Sequence, residues 1–118
     1  MTLTNDTASA VSADYGSPIT PNDLYVTFEL IVRPNEAAAV RELMVSAVIK
    51  ARTKPGCKHC ALLEVQSETR FFTYEIWTSR AAIDAHLASA QISELGQQLR
   101  ALLAQPLVVT YMNAVVPG

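Results

Sequence analysis

Glycine is scarce in this chain, with four among 118 residues. That scarcity excludes the glycine-rich loops that cradle phosphates and dinucleotides, and neither pattern occurs. Cysteine and histidine are as thin, two of each. A disulfide framework needs more, and a four-ligand zinc centre would have to draw in His86, the only histidine outside the cysteine motif. Charged residues make up 17%, nine basic against eleven acidic, for a net charge of −2. Such a balance lacks the basic surface that nucleic acid requires. No run approaches the roughly 20 apolar residues of a membrane span. The N-terminal stretch has neither the basic nor the apolar region of a secretory leader. The cysteines stand in Cys57-Lys58-His59-Cys60, between an expected helix and an expected strand. A thioredoxin-type pair has the opposite context, and a c-type haem site needs its histidine after the second cysteine. We read both as reduced structural thiols of a cytoplasmic protein, and we expect no metal and no cofactor.

Apolar residues, by contrast, make up 50% of the chain, and aromatics only 7%. The length fits one domain. Charge is distributed unevenly. Residues 1–32 hold no Lys or Arg and four acids, whereas Lys50, Arg52, Lys54 and Lys58 cluster where a helix should end. Cations there complement the helix dipole. We expect residues 1–22 to form a polar arm lying on another subunit or across its own domain, and residues 23–118 to form the domain.

Periodicity supplies the elements. Val26, Phe28, Leu30 and Val32 alternate with Tyr25, Thr27, Glu29 and Ile31, which predicts a strand over 25–32. Pro34 ends it, and Asn35 is the expected N-cap of a helix over 36–53 with Val40, Met44 and Val48 on its apolar stripe. Lys54-Pro55-Gly56 stops that helix. A strand is expected over 61–65, starting as early as His59, then a polar turn at Gln66-Ser67-Glu68-Thr69 and a strand over 70–77. On that last strand Phe71, Thr73, Glu75 and Trp77 share a face. Ser79 caps a short helix to Ala88, and a further helix carries Ile92, Leu95, Leu99, Leu102 and Leu103 inward until Pro106. A final strand is expected over 107–116.

The order is βαββαβ with the second helix split. It predicts a ferredoxin-like α+β fold, a four-stranded antiparallel sheet with helices on one face. The other face would expose more apolar surface than a monomer tolerates, so a homodimer packed through the open sheet face is expected.

Chemistry concentrates in Tyr74-Glu75-Ile76-Trp77-Thr78-Ser79-Arg80 and the following Ala85-His86-Leu87-Ala88-Ser89. With Pro55-Gly56-Cys57, these segments resemble the antibiotic-biosynthesis monooxygenases, which are dimeric α+β barrels. The chain departs from their pattern at Ala90-Gln91-Ile92, where relatives often carry Pro-His-Phe, and at Thr73, where some carry Asn. The resemblance implies oxidation of a hydroquinone, anthrone or similar electron-rich small aromatic substrate to a quinone by O2 without a cofactor. It also leaves open an isomerase or haem-degrading relative of the same fold, or a non-catalytic ligand-binding dimer. On this reading the catalytic candidates are His86, Trp77 and Glu75. His86, inward with Ile83 and Leu87, is either a base or a buried structural histidine. Trp77 is either a stacking surface or a core anchor. Glu75 either orients His86 or is a paired structural acid. Thr73, Phe28, Phe71 and Tyr111 are the substrate-binding candidates.

Overall fold

Alternation builds the sheet, and interruptions to it set where each strand ends. The computed structural model describes residues 11–66 and 69–118, so the first ten residues of the arm and Ser67 and Glu68 of the polar turn lie outside the description. The order is β1 (Leu24–Ile31), α1 (Ala37–Ala51), β2 (Cys57–Glu64), β3 (Arg70–Trp77), α2 (Arg80–Leu87), α3 (Ala90–Arg100) and β4 (Val108–Asn113). The strands lie β2-β3-β1-β4, every neighbour antiparallel. This is the expected ferredoxin-like α+β plan.

Side chains facing the helices form two buried clusters that meet at Phe28 and Leu62. One contains Val26, Val48, Cys57, Cys60, Trp77 and Ile83; the other contains Leu30, Val40, Met44, Phe71 and Leu99. The opposite face leaves Leu63, Tyr74, Val108 and Met112 exposed.

Four local expectations are corrected. Asn35 does not cap α1: it takes a left-handed φ of 70°, a conformation Asn tolerates, and Glu36 stands at the cap without a side-chain bond. β2 starts at Cys57, because Gly56 at φ 88° ends the turn and lets Cys57 pair with Trp77 at once. α3 stops at Arg100, and the chain peels away so that Leu103 bridges Val32. β4 stops at Asn113, opposite Leu24, where its partner β1 begins.

The register of β2 on β3 slips between Cys57 and His59, leaving Lys58 as the extra residue of a bulge. The bulge turns Lys58 toward the arm, where its ammonium meets Asp23 Oδ2 at 2.8 Å and donates to the Pro18 carbonyl at 2.7 Å. Lys58 is thus buried in an ion pair, not placed at the helix end as its clustering suggested. The arm runs along the edge of β2. Gly16 N–H donates to the Lys58 carbonyl, and Tyr15 Oη bonds both the N–H and the carbonyl of Cys60. Ser12 reaches the carbonyls of Arg52 and Cys57. The described part of the arm therefore lies across its own domain.

Candidate active site

β3 aims Thr73, Glu75 and Trp77 at the helices by simple alternation. Ser79 then caps α2, its Oγ accepting from Ala82 N–H at 3.1 Å. The cap fixes the helix phase, and Ile83 and His86 share its buried side. The imidazole of His86 stacks on the Trp77 indole, centroids 5.2 Å apart and planes 23° apart. The indole N–H donates to Glu75 Oε1 at 2.9 Å. Thr73 Oγ1 accepts the Phe28 N–H at 3.0 Å, at a place where the β1–β3 ladder lacks paired residues. Thr73 also hydrogen-bonds Glu75, so His86, Trp77, Glu75 and Thr73 form one connected group.

Burial sets the electrostatics. His86 is 8% exposed and its Nδ1 has no hydrogen-bond partner. Desolvation, with help from the Lys54 charge, pulls its pKa down to about 4, so the ring is neutral at pH 7. Burial pushes the Glu75 carboxyl above its ordinary range, although hydrogen bonds from Thr73 and Trp77 oppose that rise.

Between sheet and helices lies a cavity of about 90 Å³ whose wall includes Phe28, Met44, Cys60, Thr73, Glu75, His86, Leu95 and Leu107. It shares Ala47, His86, Ile92 and Leu95 with a more polar opening of about 190 Å³ between α1 and α3. Of the seven candidate residues, four thus reach the inner cavity: His86, Glu75, Thr73 and Phe28. Trp77 is fully buried behind His86, with one ring face toward the imidazole, and lines none of the described cavities. Phe71 belongs to the core, with the Arg41 guanidinium 5.7 Å from its ring centroid. Tyr111 packs against the first core cluster under Arg80, whose guanidinium stands 3.8 Å from the ring centroid. Neither lines the inner cavity. Sequence reasoning missed Cys60, which sits directly across from Glu75 in the β2–β3 ladder. Alternation with the inward Leu62 is the signal that could have found it.

Cys57 and Cys60 are free and buried. Burial, followed by the nearby Glu75 charge, pushes the Cys57 thiol up to about 12, and the Cys60 thiol rises for the same reasons. Thiolate is the reactive form, so both should resist modification. We expect no reaction of the native protein with a disulfide reagent at pH 8 and two thiols per chain after denaturation. Rapid native labelling would contradict this packing. Among the described residues no three His, Cys, Asp or Glu side chains gather in a way that holds a metal ion. No described helix is long and apolar enough to cross a membrane.

A split-βαβ sheet with a buried histidine beside a partly open cavity between sheet and helices defines a class of small α+β domains. Residues 23–98 match the model of the antibiotic biosynthesis monooxygenase family, and the chain belongs to that family. A Mycobacterium tuberculosis protein provisionally named a monooxygenase, Rv0793, is 29% identical over 80 residues, which is 68% of this chain and 79% of that protein. Its solved structure superposes with a TM-score of 0.74 at 26% identity, covering 79% of this chain and 95% of that one. A crystal structure described as an antibiotic biosynthesis monooxygenase is 30% identical, with a TM-score of 0.73, covering 78% and 98%. A Nitrosomonas europaea structure at 17% identity and TM-score 0.76, covering 84% and 96%, shows the same fold.

Proposed function

We propose that this chain is a cofactor-independent monooxygenase that oxidises a hydroquinone, anthrone or similar electron-rich aromatic to a quinone with O2, working as a cytoplasmic homodimer. On this reading residues 23–118 are the catalytic domain and 1–22 its arm. The observation that carries it is His86: a neutral, buried imidazole in the wall of a largely apolar cavity, beside Glu75.

Such an imidazole accepts a proton from an acidic phenol or a benzylic C–H. Glu75 and Thr73 supply the polar contacts that orient the ring, and Trp77 holds His86 in place by stacking. The resulting carbanion or phenolate passes an electron to O2. Radical recombination forms a C–O bond, and the hydroperoxide loses water to leave a carbonyl. His86 returns its proton to the peroxide; overall, the CH2 of an anthrone and O2 become C=O and H2O, or a hydroquinone takes oxygen at a ring C–H and becomes a hydroxyquinone and H2O, with the substrate supplying all the electrons. The inner cavity is smaller than the roughly 150 Å³ that takes a benzene. The ring therefore occupies that cavity and the α1–α3 opening together.

The test is O2 uptake with a panel of hydroquinones and anthrones. The native protein should exceed autoxidation, and His86→Gln should lower the rate about a hundredfold, at the low end of general-base effects because the base is so weak. A native rate equal to autoxidation, or a fully active His86→Gln, would overturn the proposal.

The dimer is supported by the open sheet face. Leu63, Tyr74, Val108 and Met112 are exposed there. The rings of His59, Tyr74 and Tyr25 run across it in contact, and the buried Tyr25 Oη lacks a partner. Sedimentation should give a dimer, and Leu63→Lys with Val108→Lys a folded monomer. A native monomer at micromolar concentration would contradict it.

A further inference from the structure

His86 also borders a third cavity, on the side of the molecule where the arm, the α1–β2 turn and α2 converge. It holds about 450 Å³ and is bounded by Asp14, Lys54, Gly56, Thr78, Ala85, His86 and Ser89, among others. Most polar groups around it are committed. Asp14 Oδ2 accepts from Gly56 N–H at 2.9 Å. Ser89 Oγ accepts from Ile92 N–H. The backbone N–H groups of Thr78 and Ser89 donate to the Gly56 and His86 carbonyls. A cation and a buried nitrogen stay uncommitted. Lys54 forms no ion pair or side-chain hydrogen bond among the described residues, and Nδ1 of His86 is orphaned in a residue more than nine-tenths buried. Lys54 also lies close enough to His86 for its charge to be felt there.

We propose that this cavity is a binding site for a small organic carboxylate, held between the Lys54 ammonium and the His86 imidazole. An orphaned buried nitrogen beside a free cation calls for an acceptor carrying one negative charge. One charge is the right number, since Asp14 on the same wall, engaged with the Gly56 N–H, would repel a dianion such as phosphate more strongly. The hydroxyls of Thr78 and Ser89 add donors at the rim. The ligand would complete a carboxylate–imidazole pair, which strengthens the ring as a base toward the inner cavity. The site stands on geometry and does not depend on the oxygenase reading.

Binding is read without turnover, by NMR of the histidine ring nitrogens during pH titration in sodium formate and in sodium chloride of equal ionic strength. The other ionisable groups facing His86 are Asp14 from the arm, Lys50 from α1, Glu75 and Cys60 from the sheet, and Glu94 from α3. Formate at the proposed site meets Lys54, whereas Lys50 faces His86 from the α1–α3 opening. We expect it to raise the His86 midpoint by about one unit or more over chloride, with His59 in the same spectra unmoved. Lys54→Met should abolish the difference and Lys54→Arg should keep it. Equal His86 midpoints in the two salts, or a formate shift that survives Lys54→Met, would overturn the site.

Discussion

Lys58→Met will lower the stability of the fold by about 3 kcal/mol, measured by urea denaturation at pH 7. Removing one partner of a buried pair strands the other charge, at a cost of about 3–5 kcal/mol. Asp23 is 2% exposed and Lys58 8%, and Nζ stands 2.8 Å from Oδ2. The low end of the range applies because the pair lies at the sheet edge under the arm rather than in the core. The ion pair links the start of β1 to β2 around the end of β3, so its loss also loosens the arm. Acid should erase the difference. Burial alone would raise the Asp23 carboxyl, but the Lys58 hydrogen bond, the Thr20 N–H and the Lys58 charge outweigh it and hold the group below its ordinary 3.8. A depressed carboxyl contributes stability that is present above its unfolded value and lost as pH falls through its folded one. The gap between native and Lys58→Met should therefore be full at pH 7 and close below about pH 4. A gap that persists unchanged at low pH would mean that Lys58 acts by packing alone.

Trp77→Ala carries the other large effect, about 3–5 kcal/mol for a fully buried aromatic and on the order of 10–20 °C in Tm. The ring is at 0% exposure among Val26, Val48, Cys57, Cys60 and Ile83. Deleting it removes packing, leaves Glu75 without its indole donor and leaves His86 without its stacking surface. Trp77→Phe separates these losses. It keeps most of the volume and the stack, so it should cost about 1–3 kcal/mol, the range for leaving a buried acceptor unsatisfied. Equal destabilisation by Phe and Ala would assign the whole effect to the Glu75 hydrogen bond. In either variant, O2 uptake should fall with the fraction of His86 held in place.

The two predictions fall on residues that the sequence treated very differently. Trp77 was legible: the alternation of β3 placed it with Glu75 and Thr73, and the cap at Ser79 brought His86 to the same side. Lys58 was not. One extra residue in β2 changes which way a side chain points, and no local pattern announces the bulge. β1 and β3 were readable because their periodicity is strict and their ends are marked. β2 was read late because a bulge hides its alternation. Phe71 and Tyr111 looked like pocket walls because they share strand faces with cavity residues. Tertiary packing decides otherwise: Phe71 is taken up by Leu30, Val40, Met44 and Leu99, and Tyr111 packs on the first core cluster under Arg80. The arm's path along β2 is likewise a product of tertiary contacts: Tyr15 and Cys60 are 45 positions apart. Cavities, too, arise from imperfect fit between layers and leave no trace in a one-dimensional pattern.

Thr73 has a double role with a consequence for how this protein can change over evolutionary time. Its hydroxyl lies in the cavity wall, yet the same oxygen accepts the Phe28 amide where the strands lack a ladder partner. A replacement that retunes the cavity at this position must also mend the sheet. Changes in the shape of the cavity should therefore travel through Met44, Cys60, Leu95 and Leu107, which line it without a side chain that bridges strands. Position 73 would drift only among residues able to accept that amide.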